Sequence, residues 1–447
     1  MSSASEAVHK RKASDSEDLH ALESSANHDS KKARKEEKQH AEDCEDPECD
    51  GCAEGEIVLQ FETTPSAVEL FQMAREEAAK SSSSSSHADQ AGSGGGMSRM
   101  AKALFDKAIE EFEAYDKAHA HIELNDGTEV AGKVLETKVQ HAACVLAVGN
   151  LMPSTEMVQE GVRMFEDLKK QTKGENGNVL VGLGIAEISQ ARDCRRLAME
   201  TLTANEDEDE DEPSEEQQKA AAVVGKKEKD LAGRALKSFT TGLSLLKTKL
   251  PESSFAEESV RAAQELEEYG VSLDPVLNRD LAVSVLDQAI KHIEDAQSIK
   301  AELVDENADI LTIYGSCVFS KARLATHKND DSVAKPLLDK AIEILVKAEG
   351  MQDEEGDYKT LETLGQAYLM SSVLTDDEDL IMEAYDAATE RLSRALEMNP
   401  DNESLRQQVE AMEGGDDGED YGEFSGDEGE NDEGDEDGGE DEDEDDA

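Results

Sequence analysis

Between about residue 60 and residue 410 the apolar positions of this chain recur three and four apart, with little sustained two-residue alternation. That period predicts helices packed on one or two faces. One signature returns along the way: a small residue, a large one four later, a small one three beyond it, then an apolar residue. It stands as Ala101, Phe105, Ala108, Ile109 and again as Ala235, Phe239, Gly242, Leu243. Ala282, Leu286, Ala289, Ile290 follow, then Ala334, Leu338, Ala341, Ile342, and last Ala388, Leu392, Ala395, Leu396. The spacing places each set on one helix face, where the small residues admit a neighbouring helix and the Phe or Leu fills the groove between them. Each copy is read as the second helix of an antiparallel hairpin. For the last two copies the first helix is also visible, in Leu311, Tyr314, Gly315, Val318 and in Leu361, Leu364, Gly365, Tyr368. Pro400 closes the last of these hairpins, since a proline cannot continue a helix.

These features predict an all-α chain, an irregular tetratricopeptide-like helical repeat array, of the kind that builds binding surfaces rather than reaction centres. The copies are unevenly spaced, and Thr375-Asp376-Asp377-Glu378-Asp379 lengthens the last unit beyond the usual ~34 residues. Tyr314 and Tyr368 hold first-helix positions and are expected in the core; Tyr385 is left between packing and surface anchorage. Breaks divide the chain. A short helix and a Ser/Gly-rich linker are expected over 56–96, a first part of the helical body over 97–205, an acidic loop over 206–219 and a second part over 220–411. Met152-Pro153-Ser154-Thr155-Glu156 ends one helix and caps the next, Pro251 and Asp274-Pro275 mark turns, and Pro336 is expected in the first turn of its helix.

Charge changes the picture at both ends. The formal net charge is −61, a field that repels nucleic acid over most of the surface and favours basic partners. From Glu413 onward there are 21 acidic residues with no Lys or Arg, and 206–216 adds nine more acids. The tail over 412–447 has almost nothing to bury and is expected to be disordered. Its role is either solubility through self-repulsion or contact with basic proteins such as ribosomal proteins or histones. With 4% aromatic residues and no tryptophan, the chain lacks the makings of an aromatic-lined nucleic-acid platform.

Residues 1–55 read as a polar, unfolded arm carrying two basic clusters, Lys10-Arg11-Lys12 and Lys31-Lys32-Ala33-Arg34-Lys35. Extended basic residues reach the acidic groove of an import receptor without a folding cost, so Lys10, Arg11, Lys12, Lys31, Lys32, Arg34 and Lys35 are the candidate nuclear-targeting residues. Ser14 and Ser16 lie beside Asp15, Glu17 and Asp18 and are candidate phosphorylation sites, where added negative charge would weaken the neighbouring positive field. No secretory leader or bilayer-spanning run is visible, so an intracellular chain with reduced cysteines is expected.

Candidate chemistry is sparse. His40, Cys44, Cys49 and Cys52 are four soft ligands, but only Cys49-x2-Cys52 has familiar metal spacing; scatter is favoured over a zinc site or a redox cluster. Cys144, Cys194 and Cys317 fall in helical patterns and read as small core residues. Gly182-Leu183-Gly184 lacks the third glycine and the strand–helix alternation of a dinucleotide site, so it reads as a helix start with close packing. His119 and His121 are only two apart and face different sides of a helix; His141 with Cys144 reads as a partly exposed histidine beside a buried thiol. No catalytic residue, cofactor or metal site is assigned.

The C-terminal half resembles the fungal enhancer of translation termination family, which also includes a nuclear negative regulator of a prolyl-hydroxylase-like oxygenase. Ile313-Tyr314-Gly315, the stretches 334–348 and 361–371, and Ala384-Tyr385-Asp386-Ala387-Ala388 through Asn399-Pro400 carry the resemblance, over 280–410. It implies a non-enzymatic nuclear adaptor that serves translation termination and hypoxic gene expression by binding a 2-oxoglutarate- and iron-dependent oxygenase. Any iron would then belong to the partner. The competing reading is an acidic nuclear chaperone for histones or ribosomal proteins. A cochaperone that captures carboxyl-terminal peptides would need a repeated basic clamp, which the sequence does not show.

Overall fold

A computed structural model describes residues 59, 61, 64–83, 98–203, 215–352 and 356–413. The regular elements among these are all helices, so the chain is an all-α array of helical hairpins. They are α1 (Ala67–Ser83), α2 (Arg99–Ala118), α3 (Glu129–Leu151), α4 (Thr155–Gln171), α5 (Gly177–Thr203), α6 (Glu215–Ala222), α7 (Lys226–Lys247) and α8 (Glu252–Val271). Then come α9 (Arg279–Ile299), α10 (Ala301–Asp305), α11 (Ala308–Thr326), α12 (Asp331–Glu349), α13 (Tyr358–Leu374), α14 (Glu378–Met398) and α15 (Glu403–Glu413). Contacts sort them into two compact units. Among the described residues, the first takes in those up to Leu197 together with Asp230–Thr248; the second takes in the rest.

The first unit begins at a reciprocal cap. The Ser66 hydroxyl accepts the Glu69 N–H at 3.3 Å, and the Glu69 carboxylate accepts the Ser66 N–H at 2.8 Å, settling two donors that a helix start leaves open. α1 then packs on α2. Leu70, Phe71 and Ala74 close on Ala101, Phe105, Ala108 and Phe112, with the Phe71 and Phe105 rings tilted 6.1 Å apart. The segment expected as a short helix is therefore the first helix of a hairpin. α3 and α4 form the second hairpin, where a Cβ on Gly149 would stand 2.7 Å from the Val158 nitrogen and one on Gly161 3.1 Å from the Leu146 Cβ. The third joins α5 to α7 across the acidic stretch. A Cβ on Gly242 would meet the Val181 nitrogen at 2.9 Å, and one on Gly184 would meet the Phe239 ring at 2.9 Å. Gly182-Leu183-Gly184 thus lies inside α5, where its glycines are contact points between helices.

The second unit repeats the arrangement three times. α8 packs on α9, α11 on α12 and α13 on α14. Gly270 faces Leu286, Gly315 faces Leu345 and Gly365 faces Leu392, each at a distance that leaves no room for a side chain. α15 covers the end, burying Leu405 and Val409 against Leu361, Leu392 and Ala395. Asp377, from the acidic interruption, turns out to be the N-cap of α14, accepting the Asp379 and Leu380 N–H groups.

Three expectations need correction. Pro336 lies in the second turn of α12, because the helix starts at Asp331 under Asp330. Its missing N–H there forfeits the bond to the Ser332 carbonyl, which a first-turn position would not have cost. The stretch 206–219 is not all loop, since α6 starts at Glu215. The contact boundary between the two units also falls elsewhere than in the acidic run, because Asp230–Thr248 goes with the first unit.

The second unit carries a pH liability. His292 of α9 is buried, and that burial depresses its pKa from 6.5 to about 4, with Lys291 adding to the shift and Asp295 opposing it. In the unfolded chain the ring takes a proton near pH 6.5; in the folded one it resists until about pH 4. The folded state therefore has its full stability above pH 6.5 and loses it as the pH falls through that window. Urea denaturation at pH 7 and pH 5 should show a wild-type loss exceeding that of His292→Gln by about 2 kcal/mol. Equal losses would mean that His292 titrates as an ordinary surface ring.

Candidate functional site

The repeat-packing residues identified from the sequence sit where the helices meet. Ala101, Phe105, Ala108, Ala235, Phe239, Ala282, Leu286, Ala289, Ala334, Leu338, Ala341, Leu364, Ala388, Leu392 and Ala395 are buried, and so are Gly315 and Gly365. Tyr314 is buried too, its hydroxyl donating to Glu294 at 2.9 Å. Two positions differ. Tyr368 is only half-buried, with the Arg391 guanidinium 5.2 Å from its ring centroid. Pro400 is exposed just past α14. Tyr385 is exposed, its hydroxyl donating to the Met412 carbonyl.

Polar side chains of the first helices are consumed inside the array. Glu267 of α8 is 1% exposed and accepts the Ser316 hydroxyl of α11 at 2.6 Å and the Lys359 ammonium of α13 at 3.3 Å. One carboxylate thereby ties together the first helices of three successive hairpins. Thr312 and Thr360 share a hydrogen bond of 2.7 Å beside it. In the first unit Glu187 pairs with Arg234 at 3.0 Å and accepts from Ser238 at 3.0 Å; burial still lifts its pKa against the pull of Arg234. Buried carboxylates need such partners, because an unpaired charge away from water is costly. In tetratricopeptide-like arrays the inner helix row commonly receives a ligand. Here Thr312, Ser316 and Ser320 of that row are buried and the first two are already bonded within the protein.

An open surface lies on the second unit, where α12, α13 and α14 meet. A groove of about 410 Å³ runs between them. α12 contributes Lys335, Leu338 and Asp339, and α13 contributes Tyr368, Ser371, Leu374 and Thr375. α14 supplies Leu380, Glu383, Ala384 and Ala387. Each set recurs at three- and four-residue spacing, so one stripe of each helix lines the groove. Ala384 and Ala387 keep the wall low, while Leu380 beside them stands 53% exposed. Large apolar side chains left in water beside a groove mark a docking surface. The α14 stripe was legible beforehand: Leu380, Ala384 and Ala387 repeat the i, i+4, i+7 spacing eight residues before the packing stripe Ala388, Leu392, Ala395.

Chemistry elsewhere is muted. Burial pushes the Cys144 thiol up to about 12 and the Cys317 thiol well above its usual value, which leaves both protonated and unreactive. Cys194 is half-buried rather than core. His141 is buried, contrary to expectation, because its Nδ1 bonds Asp116 at 2.8 Å and its ring stacks on Phe112. No group of three metal-ligating side chains occurs among the described residues, and no described helix is long and apolar enough to cross a membrane. Lys10, Arg11, Lys12, Ser14, Ser16, Lys31, Lys32, Arg34 and Lys35 lie outside the described residues, as do His40, Cys44, Cys49, Cys52 and the acidic tail beyond Glu413.

The fold and its open groove define a helical-hairpin repeat scaffold. No protein-family model and no curated protein matches the chain. Among solved structures it is similar to Nro1 of S. pombe, described as a nuclear import adaptor, with 11% identity, 77% of this chain and 97% of that chain covered, and a TM-score of 0.42. A second structure of Nro1, described as a hypoxic regulator of sterol synthesis and a nuclear import adaptor, aligns with 11% identity over 77% of this chain and 92% of that one, at a TM-score of 0.44. A third, in another crystal form, gives 11% identity, 80% and 99% coverage and a TM-score of 0.40. At these values the likeness carries no residue correspondences.

Proposed function

We propose that this chain is a non-enzymatic nuclear adaptor whose helical array holds a protein partner, a 2-oxoglutarate- and iron-dependent prolyl-hydroxylase-like oxygenase. Through that partner it serves efficient translation termination and the regulation of hypoxic gene expression. The observation that carries the binding role is the groove between α12, α13 and α14, with Leu380 exposed in its lining. The partner's identity rests on the resemblance over 280–410, and nuclear entry on the basic clusters around Lys10 and Lys31, which an import receptor would read. Iron and 2-oxoglutarate are the partner's in this reading.

The test is affinity purification from nuclei with the full chain and with residues 59–413, which keep every described helix and drop the acidic tail. Recovery of the same oxygenase by both is the expected result. If deletion of the acidic tail abolishes every stable partner, and histones or ribosomal proteins are the sole ligands of the full chain, the molecule is an acidic chaperone instead.

A further inference from the structure

Building on the adaptor reading, we propose that the α12–α14 groove receives a basic amphipathic helix of the partner protein, an apolar stripe flanked by Lys or Arg. The groove's own chemistry selects this occupant. Its floor and walls offer Leu338, Leu374, Leu380, Ala384 and Ala387, the low alanine surface leaving room for large apolar anchors. Its volume of about 410 Å³ lies within the range of roughly 300–1,000 Å³ found for ligand-holding clefts. Three helix stripes of three- and four-residue period form a trough suited to another helix, which docks by anchors at the same spacing. The rim is acidic. Asp339 and Glu383 line it, with Lys335 the one cation among its lining residues, and exposed Asp376, Asp377, Glu378 and Asp379 lie in the chain between the lining residues Thr375 and Leu380.

Other occupants fit less well. A second copy of this chain would set one acidic rim against another around a two-fold axis, in a molecule already carrying a net charge of −61. The chain's own Lys31-Lys32-Ala33-Arg34-Lys35 cluster has the charge but no large apolar side chain to fill the trough. A partner helix satisfies both requirements.

The probe is a fluorescent 18-residue Leu/Lys amphipathic helix, with Leu/Gln and Leu/Glu versions of the same apolar face, titrated against the full chain by anisotropy. The Leu/Lys peptide should bind at least tenfold more tightly than the Leu/Gln one, with the Leu/Glu peptide weakest and salt narrowing the differences. Leu380→Asp and Glu383→Lys alter exposed side chains, and each should weaken Leu/Lys binding about tenfold. Val130→Asp, on α3 of the first unit, should leave it unchanged. Charge-blind binding, or binding indifferent to L380D and E383K, overturns the proposal. So does a photo-crosslinker at Thr375 that captures a second copy or residues 31–35 in place of the peptide. The nuclear purification separates the two levels: a wild-type chain that recovers no oxygenase sinks the adaptor reading, whereas equal recovery by wild type and L380D/E383K sinks only the groove assignment.

Discussion

Phe239→Ala should cost the first unit about 4 kcal/mol. The ring is fully buried on α7 and lies against α5 where Gly184 has no side chain. Removing it deletes the transfer free energy of a phenyl group and leaves a cavity that the rigid α5 backbone cannot fill. Gly184→Val alone should also destabilise, by about 2 kcal/mol, because its Cβ would stand 2.9 Å from the ring. In the F239A background the same valine occupies vacated space. The double mutant should therefore be more stable than the sum of the single losses by at least about 1 kcal/mol. Urea titration of the four proteins measures it, and simple additivity would show that the two side chains do not share the site.

Lys359→Met should destabilise the second unit by about 3 kcal/mol, since it leaves the Glu267 carboxylate with Ser316 alone at a position 1% exposed. Lys359 is itself half-exposed, so the cost comes from stranding the acid rather than from the lysine's own contacts. Glu267→Gln in the K359M background removes the charge while keeping a group that accepts the Ser316 hydroxyl. That pair should return to within about 1 kcal/mol of wild type. If Lys359→Met is as mild as an exposed ion-pair deletion, water must reach Glu267 in solution.

The hairpins were legible because their contacts obey helix geometry: Ala388, Leu392 and Ala395 lie on one face wherever the helix sits. The α3–α4 hairpin obeys the same rule in Ser154, Val158, Gly161 and Val162, with Gly149 opposite Val158. It escaped notice because Ser154 is the helix cap and Val158 is small for the groove-filling position. Glu187 carried a signal, as the one acid between Glu175 and Asp193 within an apolar run. Glu267 was not legible, because its helix carries six acids and only tertiary neighbours on other helices distinguish a buried carboxylate from a solvated one. Tyr368 illustrates the same limit. Its spacing assigns a helix face, but whether that face meets a neighbour or a groove depends on how α12 and α14 diverge beside it.

The hairpin of α5 and α7 closes over the chain's internal acidic run. Thermodynamically the length of that run matters little, because doubling a loop costs only about 0.6 kcal/mol. Time is a different matter. Gly184 leaves the ribosome 55 residues ahead of Phe239, a delay of roughly 3–10 s at ordinary elongation rates. Throughout it the apolar face of α5, with Val181 and Ile185, has no α7 to cover it. Seven successive carboxylates from Glu206 to Glu212 emerge directly behind that face, and their mutual repulsion with other acidic nascent chains is expected to hold unfinished cores apart until α7 arrives.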